Sequence, residues 1–233
     1  MQADLDDYPR LPENRVDFGA VSDAKDRLFR KAFARFDDSG AFRAFCRQER
    51  SWLEDYARFR VLKDLHGGRS WTEWADGYRL RRHKCLRELA TAHGEALRYH
   101  KFLQFLFHRQ WEAIRTHAHA AGIRILGDIP CYVSFDSADT WASRELFEFD
   151  DQCRPTRVAG VPPDYFSENG QLWGNPLYRW DAMEADGYAW WIARLKITLA
   201  RLDLVRVDHF RGFESYWAVP AGSPTAVEGE WVK

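Results

Sequence analysis

A short segment in the second half of the chain, Leu202–Phe213, most constrains what the chain can fold into. Its first half combines apolar and β-branched residues after a helical pattern, which predicts a strand. Because side chains alternate along a strand, Arg206 and Asp208 share one face, opposite Val205 and Val207. Unpaired buried charge is costly, so the segment predicts an Arg206–Asp208 pair. The pair is either a carboxylate held ionised at a functional strand end or a structural ion pair that closes the strand.

A second strand of similar design occurs earlier in the chain. Ile123–Asp128 is a short apolar run that follows a helical pattern and Gly122, and it ends on Asp128 as the later strand ends on Asp208. A single Asp at a strand end is more often a helix cap or a turn residue, whereas two at equivalent positions favour a functional role. Strands that each follow a helix predict an α/β fold, with one side of a β/α barrel and chemistry at its rim.

The first half of the chain has helical patterning and no catalytic motif. Residues 1–21 are acidic and weakly patterned, which predicts a connector. We expect a helix capped by Ser22 or Asp23, followed by a second helical stretch that stops at Gly67. The segment 79–121 predicts one or two further helices.

A long segment, residues 130–186, separates the two strands, and we expect little regular structure in it. In a barrel, so long an excursion typically covers the active site. Its aromatic residues stand among Gly and Pro turns beside amide and hydroxyl groups, which suits the apolar faces and polar edges of sugar rings. The alternative is a loop packed by its own aromatics. Ala189–Arg201 then predicts an amphipathic helix that leads into the later strand.

Composition argues against several classes of function. The 34 Lys and Arg residues nearly balance the 35 Asp and Glu residues, so a net charge of −1 gives no electrostatic basis for binding nucleic acid or an acidic membrane. No apolar run reaches membrane-spanning length, and the first residues lack the apolar core of a signal peptide. The cysteines are far apart and the histidines lack zinc-type spacing, so we expect reduced thiols, no metal and a cytoplasmic location.

Three groups of long, uncommon motifs follow one another in the second half of the chain. They are Gly127-Asp128-Ile129-Pro130-x-Tyr132-Val133 with Asp136-Ser137-Ala138-Asp139-x-Trp141, then Gly160–Ser167 with Trp173–Pro176, and finally Arg206–Phe213 with Tyr216-Trp217-x-Val219-Pro220-Ala221. Together they resemble the 4-α-glucanotransferases, also called amylomaltases or disproportionating enzymes, of glycoside hydrolase family 77. The resemblance is nearly continuous from Gly122 to Lys233 and looser back to Val16.

The resemblance implies a TIM barrel with helical insertions, here a partial (β/α)8 barrel over 122–233 and a mostly helical insertion over 1–121. It also implies transfer of α-1,4-glucan segments between malto-oligosaccharides by a retaining two-step mechanism, without a cofactor. By resemblance, Asp208 is the nucleophile, Arg206 keeps it ionised, and Asp128 binds the donor sugar. The residues implied to contact the glucan or to brace the site are Trp173, Tyr165, Phe166, Asn175, His209 and Arg211.

The chain departs from the family pattern in one important respect. Relatives place the acid/base Glu in a Glu-Asp-Leu-Gly stretch beyond the strand after the nucleophile, and these 233 residues contain no such stretch. The first barrel strands, which relatives place before the helical part, are also missing. We therefore expect the central portion of a glucanotransferase, inactive alone. Two alternatives stay open: a segment of an α-glucan hydrolase, and a non-catalytic glucan-binding module.

Overall fold

The computed structural model describes residues 8–233, so the first seven residues of the expected connector lie outside the described part. The first half is helical, as its pattern predicts, and a 3-10 turn at Trp71–Glu73 interrupts it. The α-helices are α1 (Phe18–Ala34), α2 (Gly40–Gln48), α3 (Arg50–Leu65), α4 (Asp76–Arg79), α5 (His83–Ala92) and α6 (Gly94–Ala120).

Two helix boundaries differ from the sequence-based expectation. Helix α1 begins at Phe18, and its N-cap is Asp17, whose carboxylate accepts the backbone N–H of Ala20 at 3.0 Å. Ser22 and Asp23 lie inside the helix, so their assignment as caps was wrong. The second helical stretch is divided at Glu49, which ends α2 and precedes α3. Segment 79–121, for which we expected one or two helices, forms two, α5 and α6.

The second half contains six strands, three α-helices and two 3-10 turns at Arg144–Leu146 and Phe210–Phe213. The strands and α-helices are β1 (Leu126–Ile129), α7 (Ala138–Ala142), β2 (Arg157–Val161), β3 (Gln171–Pro176), α8 (Trp180–Ala185), α9 (Ala189–Arg201), β4 (Leu204–Val207), β5 (Tyr216–Pro220) and β6 (Glu230–Val232). Strands β1 and β4 form a parallel pair, and the other strands form an antiparallel sheet in the order β3-β2-β5-β6. The fold is therefore mixed α/β, and within residues 8–233 the sheets are open and do not close into a barrel.

The segment 130–186 is more regular than we expected. Strands β2 and β3 form a hairpin, and β2 also pairs with β5, so the segment supplies half of the antiparallel sheet. Gly160 weakens the sequence pattern of β2, because glycine is unusual within strands. The close approach of β3 requires it: a Cβ on Gly160 would lie 2.7 Å from the carbonyl oxygen of Gln171.

The parallel pair β1–β4 has one apolar face and one face open to solvent. Ile129, Val205 and Val207 pack into a cluster that also contains Trp191 of α9. On the opposite face, Leu126 pairs with Leu204, and both side chains are exposed. The charged residues of both strands lie on this open face.

The C-terminal part of α6 holds the end of α9. The indole N–H of Trp111 donates to the carbonyl oxygen of Arg201 at 2.9 Å, and the guanidinium of Arg115 donates to that of Ala200. Carbonyl groups in the last turn of a helix have no partner within the helix, so these two donors satisfy groups that would otherwise need water.

A carboxylate directly after α9 connects three elements. Asp203 accepts the imidazole of His119 at 2.9 Å and the backbone N–H of Ile125 at 2.7 Å. The carbonyl oxygen of Ile125 in turn accepts the backbone N–H groups of Asp203 and Leu204, at 3.0 and 3.2 Å. The starts of β1 and β4 are therefore fixed relative to each other and to α6.

The packing crosses the predicted domain boundary at residue 122. Trp141 of α7 is fully buried among residues of the helical half, and its indole N–H donates to the carbonyl oxygen of Tyr78 at 2.9 Å. Lys63 of α3 forms an ion pair with Asp136 at 2.6 Å. The division into 1–121 and 122–233 stays a prediction, and these contacts show that the two parts share a core.

Replacing Trp141 tests this shared core. We expect Trp141→Ala to lower the free energy of unfolding by about 3–5 kcal/mol, because it leaves a large cavity and removes the indole hydrogen bond. The matched control is Trp231→Ala, since Trp231 is half exposed on the edge strand β6. Chemical denaturation of both variants measures the difference, and equal losses would show that Trp141 has no special role.

Candidate functional site

Two charged residues face each other across the parallel strands. Asp128 of β1 lies directly opposite Arg206 of β4, and the guanidinium binds both carboxylate oxygens at 2.7 and 2.8 Å. The two side chains are 54% and 64% exposed. The hydrogen bonds and charge of Asp128, and to a smaller extent the charge of Asp208, raise the pKa of Arg206.

This geometry corrects the pairing inferred from the strand pattern. The expected ion pair between Arg206 and Asp208 does not form. The register of β1 against β4 places Asp128 directly opposite Arg206, and the guanidinium pairs with that carboxylate instead. The charges are also exposed, whereas the sequence argument treated them as buried. Asp128 lies within β1, one residue before its end, and Asp208 directly follows β4.

Asp208 has an open carboxylate. Its backbone N–H donates to the carbonyl oxygen of Ile129 at 3.0 Å, which extends the β1–β4 ladder by one hydrogen bond. Its side chain is exposed and accepts no hydrogen bond from residues 8–233. All lone pairs of this carboxylate are therefore available to a ligand.

His209 lies beside Asp208 in a left-handed backbone conformation, with φ of 49° and ψ of 47°. This conformation turns the chain after β4 and brings the imidazole edge-on to Trp173, with ring centroids 4.8 Å apart. Gly212 makes room for it, since a Cβ there would lie 2.9 Å from the imidazole. Burial lowers the pKa of His209, and the charge of Arg211 acts in the same direction, whereas the charge of Asp208 raises it.

The β2–β3 hairpin brings Trp173 to this place. The indole is 38% exposed, and its N–H donates to the side-chain oxygen of Gln171 at 3.0 Å. Its ring lies 6.3 Å from the ring of Tyr132. Asn175, two residues further along β3, donates to the carbonyl oxygen of Val133 at 2.8 Å. The strand carrying Trp173 is thus attached to the segment that follows β1.

Tyr165 and Phe166 lie in the hairpin loop and are almost fully exposed, at 96% and 91%. Their rings meet edge to face at 5.5 Å, and the carboxylate of Asp164 accepts the backbone N–H groups of Phe166 and Ser167. The loop has a defined turn, but its aromatic rings are not packed against Trp173. The guanidinium of Arg211 lies 4.3 Å from the ring centre of Trp231 in the antiparallel sheet.

The structure thus brings Asp128, Arg206 and Asp208 together at one strand end and places Trp173 against His209. Tyr132 is a member of this group that our sequence-based list of site residues omits. Its ring lies 6.2 Å from His209, and its buried hydroxyl has no partner in residues 8–233. The sequence signal was its position shortly after the strand that carries Asp128.

Comparison with known proteins identifies the family. The model of glycoside hydrolase family 77, described as 4-alpha-glucanotransferase, matches residues 1–233. The chain belongs to the 4-alpha-glucanotransferase family. It is 52% identical to the 4-alpha-glucanotransferase of Thermus thermophilus over 231 residues, which cover 97% of this chain and 46% of that relative. It is 40% identical to the chloroplastic/amyloplastic 4-alpha-glucanotransferase of Solanum tuberosum, over 95% of this chain and 40% of that relative.

The fold of this 4-alpha-glucanotransferase family member is similar to a solved structure of the amylomaltase from Streptococcus agalactiae in complex with acarbose. The TM-score is 0.89 at 35% identity, and the match covers 98% of this chain and 48% of that one. The chain therefore spans about half the length of the relatives it matches. In the part of the chain that the structure describes, every helix is too short or too polar to cross a membrane.

The pKa of His209 provides a test of the site geometry. Because burial lowers this pKa below its ordinary value of 6.5, the folded state binds the proton less tightly than the unfolded state. This group then favours folding at neutral pH, and its contribution decreases as the pH falls through the unfolded-state pKa. An NMR titration of the imidazole should give a midpoint below 6.5.

Asp208→Asn should lower that midpoint further, because it removes the charge that favours the imidazolium. Asp151→Asn, at an exposed carboxylate in another loop, is the control and should leave the midpoint unchanged. A His209 midpoint that does not respond to Asp208→Asn would contradict the electrostatic contact between these side chains.

Proposed function

We propose that the chain is the central part of a 4-alpha-glucanotransferase that moves α-1,4-glucan segments between malto-oligosaccharides. In this proposal β1 and β4 are two strands of a (β/α)8 barrel, and segments outside these residues complete it. The observation that carries the proposal is the exposed carboxylate of Asp208 directly after β4, next to the Asp128–Arg206 ion pair. Family membership supports the substrate class.

In the first step, the carboxylate of Asp208 attacks the anomeric carbon of the donor glucan. The glycosidic C–O bond breaks, and the leaving oxygen takes a proton from an acid/base carboxyl group outside these residues. In the second step, an acceptor hydroxyl attacks the same carbon, gives its proton to that group and releases Asp208. Two displacements at one carbon retain its configuration, and the two carboxyl groups of such a pair lie about 5 Å apart.

The ion pair gives Asp128 and Arg206 separate roles. Arg206 orients the carboxylate of Asp128, which keeps lone pairs free to accept hydroxyl groups of the donor sugar. The guanidinium also contributes positive charge near Asp208, although its hydrogen bonds go to Asp128. Arg206 is therefore a positioning residue that acts mainly through Asp128, and it favours the ionised Asp208 from a distance.

Trp173 would bind a sugar ring on its exposed face. His209 meets the indole edge-on and Gln171 holds its N–H, so the ring is oriented before a ligand arrives. Asn175 attaches β3 to the rest of the site, and the exposed Tyr165 and Phe166 are placed to contact a longer glucan. Arg211 would brace the loop after β4 from its position over Trp231. The location we propose is the cytoplasm, although the potato relative is named chloroplastic/amyloplastic.

The nucleophile is tested in a chimera in which these residues replace the matching segment of the Thermus thermophilus relative. Asp208→Asn keeps the shape but removes the attacking charge, so transfer from maltotriose should fall by at least about 10³-fold. Asp151→Asn is the control and should keep full activity. If Asp208→Asn retains most of its specific activity, the assignment is wrong. The 233-residue chain alone, without the acid/base group, should show no transfer.

Trp173 is tested through the choice between transfer and hydrolysis in the same chimera. Water is abundant, so an acceptor sugar competes for the covalent intermediate only if it is bound and oriented, when effective molarities can reach about 10⁵–10⁸ M. Trp173→Ala should therefore raise the ratio of released glucose to transfer products, and Trp173→Phe should largely restore the original ratio. An unchanged ratio with a lower total rate would make Trp173 a packing residue. If the unmodified chimera gives only short products, the parent is a hydrolase.

A further inference from the structure

A cleft lies between the helical half and α9, away from the residues of the candidate functional site. Its volume is about 400 Å³, and α3, α7 and α9 form its walls. No residue of the candidate site lines it. Aromatic side chains stand on both sides: Trp52 and Tyr56 on α3, and Trp190 on α9.

The charges of the cleft balance. Its charged lining residues are two acids, Asp55 and Asp139, and two bases, Arg194 and Arg201. Asp55 is occupied by ion pairs with Arg58 and Arg81. A cleft without an excess of either sign favours neither an anion nor a cation. Its polar groups suit a neutral ligand with hydroxyl groups.

The carboxylate of Asp139 is a free hydrogen-bond acceptor in this cleft. It accepts no side-chain or backbone hydrogen bond from another described residue, although Asp139 lies in the first turn of the short helix α7. Desolvation raises its pKa, and the charge of Arg194 opposes that effect. The hydroxyl groups of Ser51 and Ser143 also line the cleft and have no partner within residues 8–233.

Two arginines that line the cleft lie against the rings of its aromatic walls. The guanidinium of Arg194 lies 5.3 Å from the ring centre of Trp190, and that of Arg201 lies 5.3 Å from the ring centre of Trp52. Arg194 also donates to the carbonyl oxygen of Pro130 at 2.9 Å. Aromatic rings on both walls and a free carboxylate suit a sugar ligand. The C–H face of a sugar can stack on the aromatic ring, and its hydroxyl groups can donate hydrogen bonds to the carboxylate.

A second depression continues the cleft along α9. Ser51, Ile197 and Arg201 line both, and the second has a volume of about 520 Å³. The two together form a groove and not a closed pocket, which suits a chain-like ligand that extends beyond one or two rings.

We propose that this groove is a second binding site for α-1,4-glucan chains, separate from the site around Asp208. The identity of the ligand rests on the proposed function, in which malto-oligosaccharides are the substrates. Trp52 and Trp190 stack on sugar rings, and Asp139 accepts their hydroxyl groups. The groove holds a long glucan to the protein while another part of the chain reacts.

The test follows the indole N–H signals of the 233-residue chain by NMR during titration with maltohexaose. Signals of Trp52, Trp190 and Trp173 are assigned with single Trp→Phe variants, so each site has its own probe. We expect the Trp52 and Trp190 signals to shift together and to saturate. Cellohexaose, which has β-1,4 bonds, should produce much smaller shifts at the same concentration.

Two variants alter the groove without removing a described hydrogen bond. Asp139→Ala removes the free carboxylate and should weaken the binding seen by Trp52 and Trp190 about tenfold or more. Ala193→Phe adds a ring to an exposed groove residue of α9 and should block the site. Ala113→Phe, at an exposed position of α6 outside the groove, should leave binding unchanged. Thermal unfolding of each variant checks the fold, and Ala193→Phe is decisive if Asp139→Ala is unstable.

The outcomes separate this proposal from the proposed function. Shifts of Trp173 alone, or binding that neither groove variant weakens, would overturn the groove and leave the Asp208 site standing. The absence of any shift at Trp52 and Trp190 would also overturn it, whatever the chimera shows in the transfer assay. Equal responses to maltohexaose and cellohexaose would overturn its assignment to α-glucans.

Discussion

The carboxylate of Asp203 is the contact on which the rest of the site depends. By accepting the N–H of Ile125 and the imidazole of His119, it aligns the start of β1 with the start of β4 and ties both to α6. In a parallel pair, that alignment determines every later pairing along the strands. Three residues after Ile125 and three residues after Asp203, this alignment places Asp128 opposite Arg206. The helical half therefore does more than cover the sheet, because its longest helix sets the register that creates the ion pair.

The two faces of the parallel pair β1–β4 differ in their surroundings. One face is buried against α9, whereas the other exposes the ion pair, together with Leu126 and Leu204. Two strands cannot enclose a site by themselves, and the relatives are about twice as long as this chain. Under the proposed function, the open face becomes the interior of a barrel, where the Asp128–Arg206 pair would be less hydrated and more strongly coupled than it is here.

Local patterns in the sequence predicted local structure well. The amphipathic run Ala189–Arg201 forms a helix with those bounds, and the strand before Asp208 is present. The pairing of Arg206 was wrong because it depends on register against a strand nearly eighty residues earlier, which the pattern of one strand cannot reveal. The β2–β3 hairpin was missed because Gly160, which its packing requires, weakens the strand pattern. The left-handed conformation of His209 has no clear signal either, since few side chains adopt it.

The aromatic and electrostatic parts of the site meet at His209. Its burial disfavours the imidazolium, so at neutral pH it presents Trp173 with an uncharged edge. Arg206 is then the cation whose hydrogen bonds orient the site, and those bonds go to Asp128. Within residues 8–233, the carboxylate of Asp208 accepts no hydrogen bond from a protein donor. Under the proposed function this suits a nucleophile, because a donated hydrogen bond would reduce the electron density that the carboxylate offers. Under the proposed function, the exposed carboxylate of Asp208, beside a neutral His209 and near an arginine bound to Asp128, is free to attack the anomeric carbon in the first displacement.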